Sequence, residues 1–123
     1  MSAQMVQFFF TMREQLKLHH WQTMSFARHK ATDQVIGALD GLIDQFVEVW
    51  IGSHTRPRVT AATCEIKLKN LSEVAATKFV KGCIGYIQGP LTKALKPSET
   101  ELMNIRDEML SNLQQLLYLF TLK

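Results

Sequence analysis

Apolar residues recur at helical spacing in four separate stretches of this chain. The second and third stretches are joined by a polar, proline-containing segment longer than a hairpin between neighbouring helices requires. Over residues 3–22 the repeat is Met5, Phe9, Met12, Leu16, His19 and His20, widened by Val6, Phe8 and Phe10. A break at 23–25 leaves Ser25 as an N-cap for a second helix over 26–51. Its apolar side is Val35, Leu39, Leu42, Phe46 and Trp50, and Gly52 is expected to close it. The third helix, 72–88, starts at the N-cap Ser72 and uses Val74, Phe79, Val80, Ile84 and Ile87. Gly82, Gly85 and Gly89 weaken it, and Pro90 is expected to kink or end it. The fourth, 99–122, follows Pro97 and a Ser98/Glu101 capping box, with Leu102, Ile105, Met109, Leu113, Leu116, Leu117 and Phe120 inward. No stretch alternates as a strand does, so the expected class is all-α.

The connection over 53–70 carries the topology. A segment this long can travel back along the whole second helix and leave helices two and three parallel. That is the single-crossover arrangement of ferritin-like four-helix bundles. A chain of 123 residues forms one domain, 1–123.

With 46% hydrophobic and 20% charged residues the chain can bury a core, helped by oligomerisation. No apolar run suffices to span a bilayer. The N-terminus has no basic segment ahead of its phenylalanines and no small-residue cleavage site, so no signal peptide is expected. Cys64 and Cys83 lack metal-ligand spacing and are expected to be small buried hydrophobes in a reducing compartment, the cytoplasm. The net charge of +3 is uneven. Residues 56–96 hold Arg56, Arg58, Lys67, Lys69, Lys78, Lys81, Lys93 and Lys96 against Glu65 and Glu73 alone. Such a patch can attract phosphate, so a nucleic-acid-binding module is one reading, and a solvated surface is the simpler one.

Two i,i+4 pairs stand on the second helix: His29 with Asp33, and Asp44 with Glu48. Both are centred between Ala38 and Leu39, and all four side chains fall within an arc of about 100°. Each pair offers imidazole or carboxylate ligands suited to Fe(II), Mn(II) or Zn(II). The pairs lie roughly 16 Å apart, too far to share an ion within one chain. Two copies packed antiparallel about a two-fold at Ala38–Leu39 would face His29 and Asp33 of one with Asp44 and Glu48 of the other, giving two equivalent sites. Gly37, Ala38 and Gly41 would allow the close approach. His20 ends the first helix on the side that the break turns toward His29, and joins the set. His19 is expected to pack or to support the site from behind, and His54 to be solvated. The alternative is a solvated acidic helix face.

His20-Trp21, followed by Phe26, His29, Asp33, Asp44 and Glu48, resembles the ferroxidase signature of Dps-type mini-ferritins, and residues 21–29 also resemble small ferritin-like proteins of phage and large viruses. The stretch between His20 and His29 is shorter than is usual in the family and calls for a tight turn. The resemblance implies an iron-storage and detoxification protein in which His20, His29 and Asp33 of one chain and Asp44 and Glu48 of its mate hold non-haem iron, one ion or a di-iron pair, oxidised by peroxide or dioxygen. It also implies a homodimer at least and a dodecameric shell at most. Trp21 would intercept stray oxidising equivalents or serve as a core aromatic. Against this stands a structural or virion assembly protein with a weak or vestigial site.

Overall fold

The computed structural model describes residues 2–123 and is all-helical, with no strand among them. Four helices form: α1 (Ser2–Gln22), α2 (Phe26–Ser53), α3 (Glu73–Tyr86) and α4 (Thr100–Leu119), with a π-helical segment, Ile87–Leu91, continuing α3. The stripes read from the sequence meet in one core. Phe9, Met5, Met12 and Leu16 of α1, Phe46 and Leu39 of α2, and Leu102, Met109, Leu113 and Leu116 of α4 are almost fully buried.

Contacts at the helix ends fix their directions. Phe9 meets Phe46 edge-on at 5.6 Å, and His20 lies on His29, so α1 and α2 are antiparallel. Glu73 opens α3 beside Arg28, and Tyr86 closes it stacked on Phe8 at 4.0 Å. Glu99, just ahead of α4, bonds His54, while Phe120 after α4 lies under the Arg28 guanidinium at 4.1 Å. The connector follows α1 closely. Gln7 donates to the Glu65 carbonyl, buried Gln15 both donates to the Lys69 carbonyl and accepts from its N–H, and Gln22 donates to the Asn70 side chain. An extended segment has few backbone partners of its own, and Gln7 and Gln15 supply some of them.

Several expectations are corrected. Pro90 neither ends nor breaks the helix. Its missing N–H is absorbed by the widened π turn, and Thr92 Oγ1 donates to the Ile87 carbonyl at 2.7 Å. Gly52 does not close α2; the helix runs through it to Ser53, and His54 caps it by donating its N–H to the Trp50 carbonyl. The Ser98/Glu101 capping box does not form. Residues 97–98 turn, and α4 starts one residue later without a side-chain cap. The acid beside Ser98 is recruited instead: Glu99 accepts from the Lys96 N–H at 2.8 Å and from Ser53 and His54. His54 is accordingly half-buried, not solvated, and stacks on Trp50 at 3.8 Å. Val74 is 67% exposed, because the inward row Ala76, Val80, Cys83, Ile84 and Ile87 puts it on the opposite side of α3. Cys64 is exposed on the connector. Cys83 is buried as expected, and burial pushes its thiol up to about 12.

Phe46→Ala should cost about 3–5 kcal/mol in urea unfolding, while Val74→Ala should stay within about 0.5 kcal/mol. The carboxyl of Glu99 is held below its usual range, first by the Lys96 N–H and further by His54 and Ser53, against the opposing effect of burial. Its contribution is therefore present above the ordinary carboxylate pKa and lost as pH falls through the lowered one. Urea midpoints measured from neutral to acid pH should fall further for the wild type than for Glu99→Gln.

Candidate metal centre

The turn between α1 and α2 is built by its own polar residues. Ser25 Oγ accepts from the Arg28 N–H, Thr23 donates its N–H to the His19 carbonyl, and Thr23 Oγ1 donates to Glu73. This tight reversal brings His20 and His29 into parallel stacking, ring centroids 4.0 Å apart and planes 15° from one another. Each ring bonds the other residue's backbone. His20 Nδ1 lies 2.8 Å from the His29 carbonyl and 3.0 Å from Thr32 Oγ1, and His29 Nδ1 lies 3.0 Å from the His20 carbonyl. A carbonyl oxygen only accepts, so both Nδ1 atoms carry the proton in neutral rings. Both Nε2 lone pairs are thereby free. The sealed, unpartnered ring nitrogens belong to His19 and Trp50, not to this pair. Orienting a histidine through the nitrogen that does not ligate is the usual support of a metal-binding imidazole.

His20 is buried and His29 exposed. Asp33 stands one turn beyond His29, exposed and without a hydrogen bond or ion pair to the described residues. Asp44 and Glu48 stand further along α2, also exposed. Glu48 titrates above the ordinary carboxylate range because Asp44 lies beside it, acting first through a shared-proton hydrogen bond, then through its charge, with a smaller effect of desolvation. The folded state thus holds that proton more tightly, and without a cation the pair works against the fold as pH rises. Asp40, on the same side, is taken up by Arg13. Among the described residues no three His, Cys, Asp or Glu side chains of one chain are close enough to hold an ion. The histidine pair and the Asp44–Glu48 pair stay apart, as their separation on α2 requires.

The other histidines play different parts. His19 is 1% exposed, edge-on to Phe120, with Glu73 Oε1 3.9 Å from its Nε2. Burial keeps it neutral to lower pH; Glu73 opposes that shift and Arg28 adds to it. Trp21, one residue past His20, is 68% exposed and so is no core aromatic within one chain. Met24 and Phe26 are exposed beside it. The eight cations of residues 56–96 are all exposed and divide among the connector, α3 and the approach to α4. Thr32 was not legible as a site residue. It is fully buried, and its hydroxyl donates to the Arg28 carbonyl at 2.7 Å while touching His20 Nδ1. A threonine one turn after Arg28 reads only as a helix position until the ring beside it is known.

Residues 20–120 match a family described as "Family of unknown function (DUF5856)". No curated protein and no solved structure matches the chain.

Nitrogen-15 NMR of the imidazoles should find His20 and His29 both protonated at Nδ1 and bare at Nε2 near neutral pH. Thr32→Val should keep the fold, and weaken Zn(II) or Fe(II) binding by about 10- to 100-fold, the scale of losing a residue that supports a ligand.

Proposed function

The chain belongs to this family of unknown function, and from the geometry of its own residues we propose that it is an iron-binding ferroxidase of ferritin-like fold, with metal sites shared across a two-fold dimer. The observation that carries this is the histidine pair: two stacked imidazoles whose Nδ1 protons are committed to backbone carbonyls, leaving both Nε2 lone pairs unused one turn before Asp33 on α2. The ferritin-like topology is supported by the connector, which is bonded to α1 at Gln7, Gln15 and Gln22 between the end of α2 and the start of α3.

In this reading Fe(II) is the substrate. His20, His29 and Asp33 of one copy bind it, and Asp44 and Glu48 of the second copy complete the shell or hold another ion. The imidazoles arrive in the right tautomer, and their nearly parallel rings must splay for both Nε2 atoms to reach one ion. The acids arrive as a like-charged pair that a cation relieves. Two Fe(II) would give the two electrons that, with two protons from water, reduce one hydrogen peroxide to two waters, and ferric product is stored if copies close into a shell of up to twelve. Zn(II) or Mn(II) compete for the same ligands. Trp21 stands beside His20, where stray oxidising equivalents would be taken up.

A second reading, a structural or assembly protein that leaves the site idle, draws on the exposed Trp21, Met24 and Phe26 at the α1–α2 corner. Nucleic-acid binding has only the dispersed cations in its favour.

Anaerobic titration should find one Fe(II) per shared site, hence two equivalent sites per dimer. Asp44→Ala with Glu48→Ala should abolish oxidation while leaving the helical circular dichroism unchanged. Affinity should fall as pH drops through the raised Glu48 value, since the proton competes with the cation, and Asp44→Asn should move that fall to lower pH. Wild-type protein that oxidises Fe(II) no faster than buffer removes this reading.

A further inference from the structure

The outer groove between α1 and α2 has two unlike ends. At one end Trp21 is 68% exposed, in a depression shared with Lys17, Ile36 and Asp40, with the Lys17 ammonium 5.4 Å from the indole. Lys30 stands 5.5 Å from the exposed ring of Phe26 nearby. At the other end is a recess of about 280 Å³, lined by Val6, Phe10, Ile43, Asp44, Val47 and Pro57. Glu48 follows it one turn after Asp44. The knob is thus aromatic, with Lys17 over the indole, Lys30 near by, and Asp40 of the same depression already taken up by Arg13, while the recess is apolar and edged by the acids Asp44 and Glu48, unpaired with any cation among the described residues.

Their heights along α2 correspond. Trp21 follows His20, which lies on His29, and shares its depression with Ile36, so it sits between the levels of residues 29 and 36. A two-fold axis between Ala38 and Leu39 exchanges position 29 with 48 and position 36 with 41. Ile43, Asp44 and Val47 fall inside that exchanged span. The middle of α2 does not obstruct the approach: Gly37, Ala38 and Gly41 are exposed, and a Cβ built on either glycine meets nothing within 4 Å.

We propose that Trp21 is the anchor of a homodimer, seated in the recess at Ile43 and Val47 of a second copy, with Lys17 and Lys30 set against the Asp44 and Glu48 of that copy. The interface is isologous, so each copy gives one indole and receives one. A large aromatic entering an apolar recess with charges at its rim has the anatomy of an interface hot spot. The proposal rests on the two-fold that the iron reading uses, but it needs no metal, and the same contact brings the acids of one copy to the imidazoles of the other.

The test uses the full chain in chelator, without metal. Sedimentation should show a dimer, and tryptophan emission should shift to the blue as it forms; Trp50 is buried in either state, so the shift reports Trp21. Trp21→Ala should raise the dimer dissociation constant by roughly 30-fold or more, the cost of losing an anchor of this kind. A Trp21→Cys/Val47→Cys variant on a Cys64→Ser background should oxidise to a covalent dimer, and either cysteine alone should not. Within one chain these two positions stand too far apart for a disulfide. A monomer at all concentrations, or a dimer whose emission stays red and whose paired cysteines do not bridge, overturns the proposal. A dimer that bridges but binds no Fe(II) removes the iron reading and keeps the interface. Iron oxidation by a protein that never bridges does the reverse.

Discussion

The corner between α1 and α2 depends on an exchange of hydrogen bonds in which each of two histidines donates to the backbone of the other. The last turn of α1 and the first turn of α2 both have backbone groups without helical partners. The His29 ring satisfies one of these, the His20 carbonyl at the end of α1, while the His20 ring adds a second bond to the His29 carbonyl, and the stacked rings hold the two helices in register. Thr32 completes the arrangement from inside α2. Because the same bonds set the protonation of both rings, one interaction serves both architecture and chemistry. The turn at 23–25 is as short as it is because the rings bridge it.

From this corner the rest of the molecule is placed by polar contacts around an apolar core. Arg28 reaches from α2 to the side chain and carbonyl of Glu73 and over Phe120, so the beginning of α3 and the end of α4 both converge on it. At the opposite pole Glu99 gathers Ser53, His54 and the Lys96 N–H. Between these poles the core of Phe9, Phe46, Met12, Leu113 and Leu116 supplies the hydrophobic driving force, and the polar clusters give the helices their order and direction. The face of α2 that bears Asp33, Asp44 and Glu48 is left uncovered by this packing.

That uncovered face links the three aspects of the molecule. Its acids are unneutralised within the chain apart from Asp40, its small residues admit a close neighbour, and its groove pairs an exposed indole with an apolar recess. In the proposed dimer, a copy turned end for end would set Lys17 and Lys30 against the like-charged Asp44 and Glu48. The same rotation in that dimer would bring the imidazoles of one copy to the carboxylates of the other.

Much of this was legible along the chain. Helical periodicity located four helices to within a few residues, because a core stripe repeats every three or four positions whatever it packs against. The i,i+4 spacing put His29, Asp33, Asp44 and Glu48 on one side of α2, and helix geometry alone kept the two pairs apart. The turn at 23–25 followed from its residue types. What the local pattern could not decide were outcomes of competition between distant groups. Glu99 was free to cap a helix or to accept from Lys96, Ser53 and His54, and only the meeting of α2 with the approach to α4 chose. Pro90 could have ended α3, but a π turn and the Thr92 hydroxyl absorbed its missing donor. Val74 and Cys64 were apolar by type and exposed by position, since one element's orientation is set by another's. The sequence determined which residues could ligate, through their chemistry and spacing. Only the tertiary structure decided which ring nitrogen carries the proton, because that depends on which carbonyl lies within reach.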